Sequence, residues 1–119
     1  MRKNILLICS ILILLACKSG VPKDVIAPEK MKDILINIHV VDGYLMTYTS
    51  LDSSRKSGSV YYNSIYKHFG VDSAQYARSL SYYNQNPEKL SAIYQEVTTD
   101  LDKILKEEEK LDKQNVISQ

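Results

Sequence analysis

The stretch Pro28–Leu45, PEKMKDILINIHVVDGYL, decides between a helical and a β reading of this chain. Met31, Ile34, Leu35, Ile38, Val41 and Leu45, continued by Tyr48, recur at spacings of three and four. That is the stripe of an amphipathic helix. Ile34, Ile36, Ile38 and Val40 also alternate, as a half-buried strand would. The helix wins on length and on its start signal. Strands usually run about five or six residues. Pro28 needs no N–H at a first helical position, and Glu29 suits the positive end of the helix dipole. The segment is read as a long helix of about 20 residues.

Toward the C-terminus the punctuation stays helical. Ser50–Ser59, SLDSSRKSGS, is serine-rich, charged and carries Gly58, so it is expected as an exposed loop. A short helix follows over about Val60–Phe69, with Gly70 placed for a left-handed C′ residue. Asp72 is positioned as the N-cap of a third helix, Gln75 completes a capping box, and Val71 can staple onto Tyr76. Tyr76, Leu80 and Tyr83 carry that helix's apolar face. Asn86 can cap a fourth helix, with Pro87 at its first position and Glu88 at its second. Its stripe, Leu90, Ile93, Tyr94, Val97, Leu101, Ile104 and Leu105, gives way to the charged run Lys106–Lys110. The expected fold is all-α: a small bundle of about four helices, two long and two short, with the long pair packed together. The helical domain is placed at 28–113 and an irregular tail at 114–119.

Toward the N-terminus, Arg2 and Lys3 precede an apolar run from Ile5 to Ala16. Those are the proportions of a secretory signal, short of the roughly 20 apolar residues a spanning helix needs. Leu14-Leu15-Ala16-Cys17 resembles the bacterial lipobox. The resemblance implies cleavage after residue 16 and a covalent diacylglycerol and acyl chain on Cys17, with residues 17–27 as the lipidated cysteine and tether. Cys9 leaves with the signal and Cys17 becomes a thioether, so no thiol remains for a disulfide, zinc or catalysis. The tether Lys18–Ala27 reaches at most about 33–36 Å when extended, which holds the domain near a membrane. Fifteen basic and fourteen acidic side chains become thirteen and fourteen once Arg2 and Lys3 are lost, a balance of −1. A near-neutral chain with no basic stripe argues against nucleic acid as a partner.

Three segments together resemble a family. They are the lipobox, Ala27–Leu45 (APEKMKDILINIHVVDGYL) and Tyr61–Val97, which holds SLSYYNQNPEKL. Together they are similar to the Bacteroidota lipoproteins grouped as domain-of-unknown-function family 4296. The resemblance implies a lipid-anchored envelope protein and supplies no activity. Lys18 follows Cys17 where an Asp would resemble the inner-membrane retention signal, and no acidic cluster resembling the surface-export signal comes next, which favours the periplasmic face of the outer membrane.

Two sets of side chains are candidate sites. His39 and Asp42 stand three apart on one helix face and could centre a small-ligand or metal site. A metal wants three or four convergent ligands, and the chain has two histidines in all, so a solvated or hydrogen-bonded polar pair is preferred. Tyrosine is the compositional oddity: nine Tyr against one Phe and no Trp. Its ring favours burial while its hydroxyl needs a partner, which suits half-buried binding surfaces. Tyr62, Tyr66, Tyr82 and Tyr83 are expected to line a recognition groove, and Tyr61, Tyr76 and Tyr94 to enter the core. No phosphate loop, zincin motif or nucleophile elbow is present. The sequence therefore points to a non-enzymatic, cofactor-free helical module that binds another envelope protein or an unfolded client. The alternative is an activity centred on His39 and Asp42. The oligomeric state is not legible.

Overall fold

Proline at the first helical position and an acid in the first turn start the opening helix without a side-chain cap. It runs from Pro28 to Leu45 and is called α1. The computed structural model describes residues 20–117. The segment expected as a signal (1–16), Cys17 with Lys18 and Ser19, and the last two residues lie outside the described residues. Within them, α1 is followed by α2 (Leu51–His68), α3 (Ser73–Asn84) and α4 (Pro87–Ile117), with no strand among the described residues. The fold is an all-α bundle.

Depth along α1 follows the helical stripe. Met31, Ile34 and Leu35 are buried, Ile36 and Ile38 half-buried, and Val40 exposed. The alternation of branched residues that imitates a strand is thus spread around one helix.

α2 corrects the sequence reading. Ser50–Ser59 is not a loop: Ser50 is an N-cap whose Oγ accepts from the Ser53 N–H at 3.4 Å, and Asp52 sits in the first turn. The helix therefore spans 18 residues and matches α1 in length. Its early inner face is Ser54, Ser57 and Gly58, small residues that bring it close to α1. A Cβ on Gly58 would lie 3.1 Å from Leu45 Cδ1.

The stop at the end of α2 is as the sequence predicts. Gly70 takes φ +65, its N–H donates to the Lys67 carbonyl, and the Val71 N–H donates to the Tyr66 carbonyl. That pair of bonds is the Schellman arrangement. Asp72 then caps α3 by accepting from the Gln75 N–H at 2.7 Å. Asn86 behaves differently from expectation. Its side-chain amide donates back to the Tyr82 carbonyl at 2.7 Å, while its backbone carbonyl receives the Leu90 N–H.

α1 is the central element. It packs along both α4 and α2, and α3 packs on α4 and more lightly on α2; no Cα of α2 comes within 8 Å of α4. The two helices expected to be long do pair, but α2 lies along α1 as a third long helix. Lys32 on α1 links to Asp100 on α4 at 3.0 Å, and Asp100 also accepts from Lys103 at 3.0 Å. Beyond Leu101 every described residue of α4 is exposed, and the helix continues through residues 114–117, which the sequence reading places in a tail.

The core extends in front of α1 as well. Val25 and Ile26, assigned to a free tether, are buried with Met31, Ile34, Leu35, Ile65, Tyr83, Ile93 and Val97. The Ile26 N–H donates to Ser79 Oγ at 2.9 Å, and Tyr83 donates its hydroxyl to the Ile26 carbonyl at 2.7 Å. Ser79 donates its own hydroxyl to the Gln75 carbonyl at 2.7 Å. Further out, Lys89 Nζ reaches the Gly20 carbonyl at 2.8 Å. Residues 20–27 form a strap over α3 and the start of α4, where the sequence reading expects part of a tether.

Candidate functional site

The tyrosines sort into an inner and an outer group. The inner one draws on α1, α2 and α3, with the exposed Tyr94 of α4 at its edge. Tyr62 on α2 donates its hydroxyl to Asp42 on α1 in a short hydrogen bond. That bond, and then burial, push the Tyr62 phenol up to about 12. Tyr66 stacks obliquely on Tyr76 of α3, ring centroids 5.2 Å apart. Burial first, and then Tyr66, Tyr94, Asp42 and Tyr62 around it, push the Tyr76 phenol up to about 12. His39 meets the Tyr94 ring of α4 at 5.9 Å.

His39 and Asp42 thus belong to one constellation with Tyr62 and Tyr66, although each turns to a separate partner. Asp42 is engaged by a phenol and His39 lies against an aromatic ring. Among the described residues no three His, Cys, Asp or Glu side chains gather as a metal site would require. This layer is a half-buried polar seam. The raised phenols of Tyr62, Tyr66 and Tyr76 stay protonated to alkaline pH and so remain donors.

The outer group lies where α1 ends and α2 begins. Tyr44 is 50 % exposed and meets Tyr48 and Tyr61 edge-on at 5.5 and 5.9 Å. Tyr48 donates its hydroxyl toward that of Tyr44 at 3.5 Å. That contact, the largest cause for each, pushes the Tyr44 phenol up to about 12 and lowers that of Tyr48. Val60, 67 % exposed, joins Tyr61, Lys56 and Ser57 around a shallow open depression. Three rings fixed by one another, one aliphatic side chain and one ammonium make a pre-formed amphipathic surface.

The remaining candidates fall elsewhere. Tyr83 is fully buried and holds the strap, so it lines no surface. Tyr82 is half-buried beside it, with Lys89 Nζ 3.0 Å from its hydroxyl and 5.5 Å from its ring centroid. Tyr62 and Tyr66 face the inner seam. Tyr61 and Tyr94, expected in the core, are exposed. Cys17 lies outside the described residues.

Each adjacent Tyr pair therefore places one ring inward and one outward, and for Tyr61-Tyr62 the assignment is the reverse of the sequence reading. The Tyr44–Tyr48 spacing of four was a usable sign of the outer group, but the expectation of a loop at 50–59 hid the helix that completes it. No motif marked Ser79 or Lys89.

Residues 22–107 match the family described as "Domain of unknown function (DUF4296)". The chain belongs to this family. The DUF4296 region opens within the strap and closes shortly after α4 loses its last half-buried residue, Leu101. It thus includes Val25, Ile26, Ser79 and Tyr83, the parts that hold the strap down. Comparison with the curated proteins and with the solved structures gave no match.

Proposed function

We propose that this DUF4296 chain is a non-enzymatic, lipid-anchored envelope protein that binds another envelope protein or an unfolded client polypeptide. The anchor is the diacylglycerol and acyl chain on Cys17, and the location is the periplasmic face of an outer membrane. The observation that carries the binding reading is the Tyr44–Tyr48–Tyr61 group, in which Tyr44 and Tyr61 are exposed and Tyr48 half-buried, with exposed Val60 beside it. Tyrosines supply large contact area at low entropic cost, and rings already held edge-on lose little freedom on binding. Lys56 at the rim favours a segment that brings a carboxylate beside its apolar residues.

No helix among the described residues is long and apolar enough to cross a membrane. The attachment proposed here is the lipid on Cys17. The lipobox LLAC and the preceding apolar run support it. A lone acyl chain binds marginally, whereas two or more hold stably.

The test is photo-crosslinking of the full-length protein in its own membranes, with the crosslinker at Tyr61 and, for comparison, at Ser91 on α4. A discrete protein adduct specific to position 61 is expected, and its loss on Tyr44→Ala and Val60→Ser substitution. Adducts of equal intensity at both positions would exclude the aromatic group as a recognition surface. A Cys17→Ala variant should lose fatty-acid labelling and membrane fractionation; retention of both would remove the anchor from the proposal.

A further inference from the structure

We infer that the corner joining α3 to α4, built around Lys89 and Tyr82, rests in the headgroup layer of the membrane that carries the anchor. The inference depends on the lipid attachment at Cys17 proposed above. Only Lys18 and Ser19 separate Cys17 from Gly20. Three Cα-to-Cα steps span at most about 11 Å. The Gly20 carbonyl accepts from Lys89 Nζ at 2.8 Å, and the same ammonium lies 3.0 Å from the Tyr82 hydroxyl. The strap behind Gly20 is fixed in turn, with Val25 and Ile26 in the core and both backbone polar groups of Ile26 bonded to α3. The lipid is therefore not on a long leash. The interfacial zone on each side of the hydrocarbon is about 5–8 Å deep. A residue tied that close to the acylated cysteine has to lie within or beside it.

The chemistry of the corner suits that place. Tyrosine is enriched at the membrane–water boundary because its ring is apolar and its hydroxyl polar, and lysine extends its ammonium toward headgroup phosphates. Gln85, Asn86, Pro87 and Glu88 surround a shallow open depression with Lys89. The charge is nearly balanced: Lys18, Lys23 and Lys89 are offset by Asp24 and Glu88 to a surplus of one positive charge. The orientation accordingly comes from the short covalent link and the amphipathic corner, with little dependence on anionic lipid.

The experiment uses the full-length acylated protein on vesicles of phosphatidylethanolamine and phosphatidylglycerol. Acylation occupies Cys17 and cleavage removes Cys9, so one introduced cysteine is the sole thiol. An environment-sensitive fluorophore is placed at Gln85→Cys or at Lys113→Cys, both exposed positions. Lys113 lies 24 residues from Lys89 along α4, about 36 Å of helix. The expected result is a blue shift of the position-85 label on vesicles and loss of its quenching by an aqueous quencher, with the position-113 label unchanged. Lys89→Ala, still acylated and helical, should lose part of that shielding. An acylated, vesicle-bound protein with both labels equally quenched from water overturns the orientation and leaves the anchor standing. Unchanged shielding in Lys89→Ala overturns the part given to Lys89. Absence of acyl chain and of vesicle binding overturns the anchor and the orientation together.

Discussion

Ile26 concentrates the residue-scale chemistry of this fold. Its side chain is buried, its N–H is received by Ser79 Oγ and its carbonyl is bonded by the Tyr83 hydroxyl. Removing either partner leaves a buried polar group without a bond, which costs about 1–3 kcal/mol. Ser79→Ala and Tyr83→Phe should each lower stability by that amount in urea unfolding. The two losses should not simply add, because the sites share one residue. Burial and then Tyr82 push the Tyr83 phenol up to about 12, against an ordinary value near 10. The folded state therefore keeps a proton that the unfolded state releases. The stabilisation is complete below about pH 10 and is lost as pH rises toward about 12. In Tyr83→Phe that decline should be shallower than in the parent, and an unaltered slope would contradict the assignment. Why Tyr83 rather than Tyr82 turns inward was not legible in the sequence. Neighbours on a helix differ by about 100° around the axis, and only the position of the strap selects between them.

At the scale of elements, the sequence was clear wherever a side chain or a glycine performs a local task. Gly70 and Asp72 end one helix and start the next, as their types require. It was opaque at α2, and for a physical reason. Hydrophobic periodicity registers large apolar residues, whereas the inner face there is Ser54, Ser57 and Gly58, whose contribution is close approach rather than apolar area. Gly58 offers the test. An alanine gains about 0.5–1 kcal/mol of helix propensity. Its Cβ, however, would stand 3.1 Å from Leu45 Cδ1, which must shift by a few tenths of an ångström. Gly58→Ala should therefore be close to neutral. Gly58→Val adds branching at the same contact and should cost about 1–3 kcal/mol. Thermal unfolding of the two variants separates these outcomes, and equal destabilisation by both would show that the helices cannot yield there at all.

For the whole molecule, the boundary of the folded unit is the principal difference from the sequence reading. Pro28 marks the start of a helix well, and nothing in Val21–Ala27 announces that the preceding residues are core. Val25 and Ile26 each contribute about 1.5–3 kcal/mol by burial, a large share of the roughly 5–15 kcal/mol that holds a domain together. A chain beginning at Pro22 should unfold at nearly the same denaturant concentration as the full protein. One beginning at Ala27 should lose most of its stability or fail to fold, although α1 to α4 are intact in both. Equal midpoints for the two would show the strap to be dispensable. The helical class, the stop at Gly70 and the starts of α3 and α4 were readable from spacing and from the residue types at Gly70, Asp72 and Pro87. The outer tyrosine group was not, since it depends on how α2 lies against α1 rather than on either helix alone.

The strap also sets how force enters the molecule. A pull on the N-terminus does not arrive first at α1, although α1 comes next along the chain. It meets the Lys89 contact to Gly20, then the side chains of Val25 and Ile26 seated in the core, and then the two bonds from α3 to the Ile26 backbone. These attachments follow one another along the strap, which turns between Pro22 and Val25. Tension on an anchor is therefore spent on the strap before the helix at the centre of the bundle is loaded.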